Sequence, residues 1–340
     1  MSATNRIQTT TQDTLLPKLV DTVLNGNVFC TRIIGAAKKW SGEQMKKSVK
    51  VSKNTTGSSF SGYDLLSTTA TDNRVKLAFD PKFYSIAVSV PLTDLSINAV
   101  SETKIIDLMS AEMETAAQDM ADDIGTLFYD SDGTGNDSKD FQGLAAIVDD
   151  GGTVATYGGQ PRGTYTTLKA TETASGGTLT LAKMATLYNA ITSGSQKPSI
   201  GLCNETVFSL YEQLLQPQER IAKDVSMMKS GLTGGTGFTG LYYKGFPIVA
   251  DEKATSGSLF FLNEDYIDFY ALPVAMTEEV KYKTVTEGND YGQPLGLGFS
   301  FSGWVKPANQ AALIGHIYLG GEMISWNPKR HGKLTSITGV

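Results

Sequence analysis

Two histidines, His316 and His331, and two cysteines, Cys30 and Cys203, are all the imidazole and thiol this chain contains. A zinc site or a histidine-based triad gathers several such side chains, and none of these four belongs to a cluster. His316 sits in the apolar run AALIGHIYL and reads as a packed strand residue. His331 follows Lys329 and Arg330 and reads as part of a solvated basic tail. Two cysteines cannot make a disulfide scaffold, so a reduced, cytoplasmic setting is expected, and the sequons at Asn54 and Asn204 carry no weight. Carboxylate chemistry stays open in principle, but no pair is singled out. The chain is therefore read as having no catalytic residue, cofactor or metal site: it is not expected to be an enzyme.

Two motifs imitate binding sites. Gly235, Gly237 and Gly240 fit G-x-G-x-x-G, but a dinucleotide site needs a strand before the glycines and a helix after them. Here LYYKGFPIVAD follows and reads as strand, so the stretch is taken as a loop. Asp130, Asp132 and Gly135 resemble the start of a calcium loop, yet Phe141 stands where the bidentate glutamate belongs. A polar turn that stops a helix is the better reading.

The 340 residues carry 29 Lys and Arg against 35 Asp and Glu, a net charge of −6. At roughly 150 residues per domain, the length suggests about two domains. A hydrophobic fraction of 40% with 19% charged residues excludes intrinsic disorder. No run approaches the ~18 apolar residues of a membrane span, and MSATNRIQTTTQDTLLPKL lacks the regions of a secretory leader. The acidic balance argues against wrapping nucleic acid, because that affinity comes from phosphates neutralised by Lys and Arg.

The elements show where the chain spends its apolar residues. The N-terminus is polar and Thr-rich, then Leu15, Leu16, Leu19, Val20, Val23 and Leu24 predict a short amphipathic helix from Asp13 to Leu24. Between 38 and 53, Lys38, Lys39, Lys46, Lys47, Lys50 and Lys53 face a single acid, Glu43. Alternation in SVKVSK, the turn residues NTTGSSFSGYD and a second strand in RVKLAFD predict a long, basic, two-stranded excursion. An isolated hairpin is marginal in water, so another subunit is its expected partner; a surface loop of a single enzyme is the alternative.

A strand over 83–95 leads to the strongest helix, in which Ile105, Met109, Met113, Ala116, Met120, Ile124 and Leu127 recur at helical spacing. Its polar face carries Asp107, Glu112, Glu114, Asp119, Asp122 and Asp123 against Lys104 alone, so a basic neighbour would relieve it. Beyond Phe141 come short strands, a helix over 182–191, a buried strand in PSIGLCN, a helix in ETVFSLYEQLL, and β-rich segments to the end. Helices mixed with mostly antiparallel strands make the fold class α+β.

The order of these parts, polar arm, basic hairpin, long acidic helix, two-helix α/β region and return strands, resembles the major capsid protein of tailed bacteriophages, with its Hong Kong 97-type fold. SIAVSVPLTDLSIN leading into ETKIIDLMSAEMETAAQDMADDIGTLFYD resembles that family's strand and spine helix, and FQGLAAI the segment after it. PSIGLCNETVFSLYEQLL, YYKGFPIVAD and SGSLFFLNEDYI resemble its central A-domain, and GHIYLGGEMISWNPKRHGKL its closing strand and Asn-Pro-basic ending. The resemblance implies an N-arm (1–37), an E-loop (38–80), a P-domain (81–180) with spine helix 101–129, an A-domain (181–280), and return strands (281–340) completing both domains.

It further implies self-assembly through hexamers and pentamers into an icosahedral shell around double-stranded DNA, held without sequence-specific binding. The implied location is the virion, after assembly in the host bacterial cytoplasm. Implied partners are a separate scaffolding protein, since the chain has no room for a scaffolding extension, and a portal; a decoration protein is a further candidate. No membrane and no covalent cross-link is implied. Complementary charge adds one expectation: Lys46, Lys47, Lys50 and Lys53 lie over a neighbour's spine around Glu112, Glu114 and Asp119. Exposed pairs are worth about 0–1 kcal/mol each, so they would tune register rather than drive assembly. An encapsulin-like compartment, or a phage tail or adhesion component, is the alternative.

Overall fold

The computed structural model describes residues 27–40, 42–69, 71–97, 102–215, 241–272, 299–302 and 304–340. The helix expected over 13–24 and the glycine loop at 235–240 lie outside them. Helix α1 (Val28–Gly35) buries Phe29, Cys30, Ile33 and Ile34 and leads into the short strand β1 (Lys38–Lys39). Strands β2 (Met45–Lys50) and β3 (Arg74–Phe79) pair antiparallel and form the basic excursion, with β2 beginning a few residues before SVKVSK. Strand β4 (Lys82–Pro91) follows, but the end of the strand expected over 83–95 is a helical turn, α2 (Leu92–Ile97). Pro91 is still paired with Ala312 and the Leu92 N–H reaches the Ala311 carbonyl at 2.9 Å before the chain turns helical; the proline's fixed φ suits that helix start.

The spine helix α3 (Glu102–Asp130) runs 29 residues, on the order of 40 Å. It ends where Asp132 accepts hydrogen bonds from the backbone N–H (2.8 Å) and hydroxyl (2.7 Å) of Thr134, the polar turn that the calcium-like residues form. Then come α4 (Leu144–Ile147), the small ladder β5 (Thr156–Tyr157) with β6 (Gln160–Pro161), β7 (Thr171–Thr178), α5 (Leu181–Ile191), β8 (Ile200–Cys203) and α6 (Glu205–Leu215). The chain finishes with β9 (Leu241–Tyr243), β10 (Phe246–Ala250), β11 (Leu259–Leu262), β12 (Ile267–Ala271), β13 (Phe299–Phe301), β14 (Ala312–Ser325) and β15 (Gly332–Gly339). Side-chain caps mark both middle helices: Thr180 accepts from the Lys183 N–H, and Asn204 from the Val207 N–H.

The strands form two principal sheets. In the five-stranded sheet β14 is the hub: its first part pairs with β4 from Ala312↔Pro91 to Gly321↔Lys82, and its last part with β12 from Gly321↔Ala271 to Ser325↔Ile267. The six-stranded sheet runs β7-β15-β11-β8-β10-β9, with parallel contacts at β7–β15 and β8–β10 and antiparallel ones elsewhere. Every residue of β8 and β11 is buried, as a sheet covered on both faces requires. Ile200, Leu202, Phe260 and Leu262 pack toward the spine, joining Met113, Met120, Ile124 and Phe128. Cys203, Leu259, Phe261 and Leu334 pack the other way, beneath Met184, Leu187 and Tyr211 of α5 and α6.

Polar ties cross between these layers. Asp251, after β10, accepts the Phe29 N–H and the Tyr129 hydroxyl, each at 3.0 Å, and so caps α1 while holding the end of the spine. Both cysteines are buried and free, and burial pushes the Cys203 thiol up to about 12. His331 corrects the sequence reading. It is fully buried, not part of a solvated tail. Its Nδ1 accepts the Asn263 N–H at 3.2 Å, which leaves the proton on Nε2, 2.8 Å from Ser325 Oγ. The basic pair before it misleads because β15 begins immediately after and carries the chain back into the six-stranded sheet. His316 lies in β14, half-buried and stacked at 6.0 Å on Tyr318.

Candidate assembly surfaces

Strand parity sorts the basic hairpin into two faces. Met45, Lys47 and Val49 stand opposite Phe79, Leu77 and Val75, and this face packs on the core. Lys46, Ser48 and Lys50 stand opposite Ala78, Lys76 and Arg74, so the outward face carries Lys46, Lys50, Lys76 and Arg74. Like charges directly opposite destabilise a ladder, which makes the Lys50–Arg74 rung a poor choice for a strand pair with nothing acidic over it.

Lys47 is not on that face. Its ammonium lies 4.9 Å from the Trp326 ring, a cation–π contact inside the same subunit. Lys53 is exposed beyond the end of β2. Of the four expected contact lysines, the structure therefore brings Lys46 and Lys50 together and adds Arg74 and Lys76, which only the register reveals.

The hairpin tip differs in chemistry. Phe60, Tyr63, Leu65 and Leu66 are 66%, 105%, 100% and 59% exposed. Four large apolar side chains in one solvent-facing loop are unusual for a free monomer.

On the spine, Met109, Met113, Ala116, Met120 and Ile124 are buried, whereas Glu112, Glu114, Asp119, Asp122 and Asp123 are exposed. At 3.6 residues per turn, Glu112, Asp119 and Asp123 align along one flank and Glu114 falls on the opposite flank of the exposed side. Tyr84 of β4 donates to Asp123, and Lys253 pairs with Asp122 at 2.6 Å, so the chain relieves part of its own acidic face. Another acidic group, Asp149, Asp150 and Glu172, is already engaged: Asp149 with Arg162, Asp150 with the Gly152 N–H, and Glu172 with Lys333 at 3.0 Å.

A spine helix laid against a β4–β14 ladder, a two-stranded arm with an apolar tip, and a second sheet with the spine's core on one face and two helices on the other together define the Hong Kong 97-type fold of phage capsid subunits. The solved structures bear this out over nearly the whole chain. The capsid of cyanophage A-1(L) superposes with a TM-score of 0.63 at 14% identity, covering 89% of this chain and 90% of that one. The capsid of a native GTA particle gives 0.52 at 12% identity, covering 89% of each. The SrpI encapsulin complex of Synechococcus elongatus gives 0.50 at 11% identity, over 78% of this chain and 77% of the other. No known protein family and no curated protein matches by sequence.

Proposed function

We propose that this chain is the major capsid protein of a tailed bacteriophage, with a structural and not a catalytic role. The observation that carries the reading is the fold match to a phage capsid subunit across 89% of the chain. The arm supports it: a strand pair with a charged outer face and a bare apolar tip buries little by itself and gains its burial from repeated neighbours. In this reading the β2–β3 hairpin is the E-loop, the spine with the β4–β14 sheet is the P-domain, and the six-stranded sheet with α5 and α6 is the A-domain. Residues 281–340 return through both. Subunits assemble through hexamers and pentamers on a separate scaffolding protein, with a portal and a candidate decoration protein, in the host cytoplasm. The net charge of −6 suits a container that encloses DNA without gripping it.

Between subunits, the outward face of Lys46, Lys50, Lys76 and Arg74 lies over a neighbour's Glu112–Asp119 flank, with Lys53 and Glu114 at its margins. Each exposed pair contributes about 0–1 kcal/mol, so the pairs set register while apolar burial drives closure.

The test is expression alone and with the scaffolding candidate, followed by particle mass, imaging and contents. Closed shells of uniform size, holding nuclease-resistant DNA in the infected host, are expected. A monomer that forms no capsomer under any condition would overturn the reading. The encapsulin likeness favours one alternative, a protein-cargo compartment, and shells that carry a co-purifying protein and never DNA would establish it.

A further inference from the structure

The arm's base rests on a loop that has almost no secondary structure of its own, and a fully buried ion pair holds that loop in shape. Asp149 and Arg162 are both 0% exposed at the side chain and 3.1 Å apart. The Asp149 carboxylate also accepts the N–H groups of Gly151 (2.7 Å), Val154 (3.0 Å) and Thr153 (3.2 Å). The guanidinium donates to the carbonyls of Asp149, Ala146 and Ile147 and lies 4.9 Å from the Tyr157 ring. Together the pair bonds three backbone N–H groups and three carbonyls of this turn, and the Asp149 carbonyl also accepts the Ala170 N–H at 3.0 Å.

What the loop then presents is specific. The Tyr157 hydroxyl is fixed between the Ser325 carbonyl (3.0 Å) and N–H (2.9 Å), and its ring meets Phe79 edge-on at 5.2 Å. Gly158, at φ +55, accepts the Ala78 N–H at 3.1 Å along the free edge of β3. Gln160 Nε2 donates to the Lys76 carbonyl at 3.2 Å. A Cβ on Gly158 would stand 2.9 Å from the Phe79 ring and 3.0 Å from Leu77.

We propose that the Asp149–Arg162 pair is the seat of the arm: it positions Tyr157 and Gly158 against the edge of β3 and so fixes the direction in which the hairpin leaves the subunit. Residues 149–162 are then positioning residues for assembly, although none of them need touch a neighbour. The assembly half of this inference rests on the capsid reading; the positioning half does not.

The experiment compares hydrogen exchange of the unassembled full-length subunit in wild type, Gly158→Ala and the double variant Asp149→Asn with Arg162→Gln. In both variants, amides of 45–50 and 74–79 are expected to exchange at least tenfold faster, while β8 and β11 keep wild-type protection. Closed-shell yield of the same variants should fall at least fivefold. Wild-type exchange in the hairpin of Gly158→Ala, or acceleration only together with β8 and β11, overturns the seat, as does loosened exchange with undiminished shell yield. If the double variant fails to fold, Gly158→Ala decides alone. If the wild type makes no shell, the capsid reading fails and the exchange result still stands.

Discussion

The β2–β3 hairpin and the six-stranded sheet are built from the same kind of ladder but obtain their stability in opposite ways. In the sheet, β8 and β11 are buried on both faces, and Tyr188, Tyr243, Phe246 and Phe261 pack ring against ring between sheet and helices. In the hairpin, one face rests on the body through Leu77 and Phe79, the other is bare and basic, and the tip exposes Phe60, Tyr63, Leu65 and Leu66. One region is finished within the subunit. The other leaves an apolar tip in water, which under the proposed reading a second copy covers.

The largest change should come from emptying the finished region. Phe261→Ala removes a fully buried ring from the centre of an aromatic cluster and should cost about 3–5 kcal/mol of unfolding free energy, read by denaturant melts of the unassembled subunit. A loss under about 1 kcal/mol would mean that the sheet is not the stable half.

Acid should come next. Burial drives the His331 imidazole from 6.5 down to about 3, so the fold holds it neutral while the unfolded chain takes up a proton. Its contribution is fully present above pH 6.5 and is lost as pH falls from there toward 3. Glu322 works the other way: burial raises its carboxyl to about 8, so the stability it adds is present below about 4.5 and fades as pH rises toward 8. The informative measurement is therefore the stability gap between wild type and His331→Gln, which should narrow from pH 6.5 to pH 4. A constant gap would remove the histidine from the argument.

The smallest effect belongs to the unfinished region and should be visible only in assembly. Reversing Lys46, Lys50, Arg74 and Lys76 to glutamate should leave monomer melts within about 0.5 kcal/mol and slow shell formation at low salt. Partial recovery is expected near 0.15 M salt, where the screening length is about 8 Å. Normal assembly of this variant at low salt would exclude the charge register.

Much of the fold was legible because its signals are local. The spine announces itself by the spacing of Met109, Met113, Ala116, Met120 and Ile124, and α5 and α6 were read from the stretches 182–191 and ETVFSLYEQLL. The hairpin was legible as an element, but the sorting of its lysines was not. Lys47, although exposed, lies over the ring of Trp326, some 280 residues later, and no window of sequence contains both. Arg162 sits in GGQPRG, which reads as an ordinary turn; its burial follows only from Asp149 folding back onto it. His331 was misread for the same reason, since the residues that enclose it, Asn263 and Ser325, come from two other strand ends. Local periodicity finds elements, and long-range closure decides which polar residues are interior.

The β4–β14 ladder has a mechanical consequence. Ten consecutive residue pairs join these strands, and in an antiparallel ladder the hydrogen bonds run perpendicular to the strand axes. A pull along the strands therefore loads all the rungs at once, in shear, instead of peeling them one after another. Because the strand preceding β4 belongs to the arm and the last residues of β14 pair with β12, tension applied along β4 from the hairpin reaches the centre of the subunit through this ladder. Under the proposed capsid reading, pressure from within would stretch the subunit in that manner, and the longest ladder among the described residues lies where such a load would arrive.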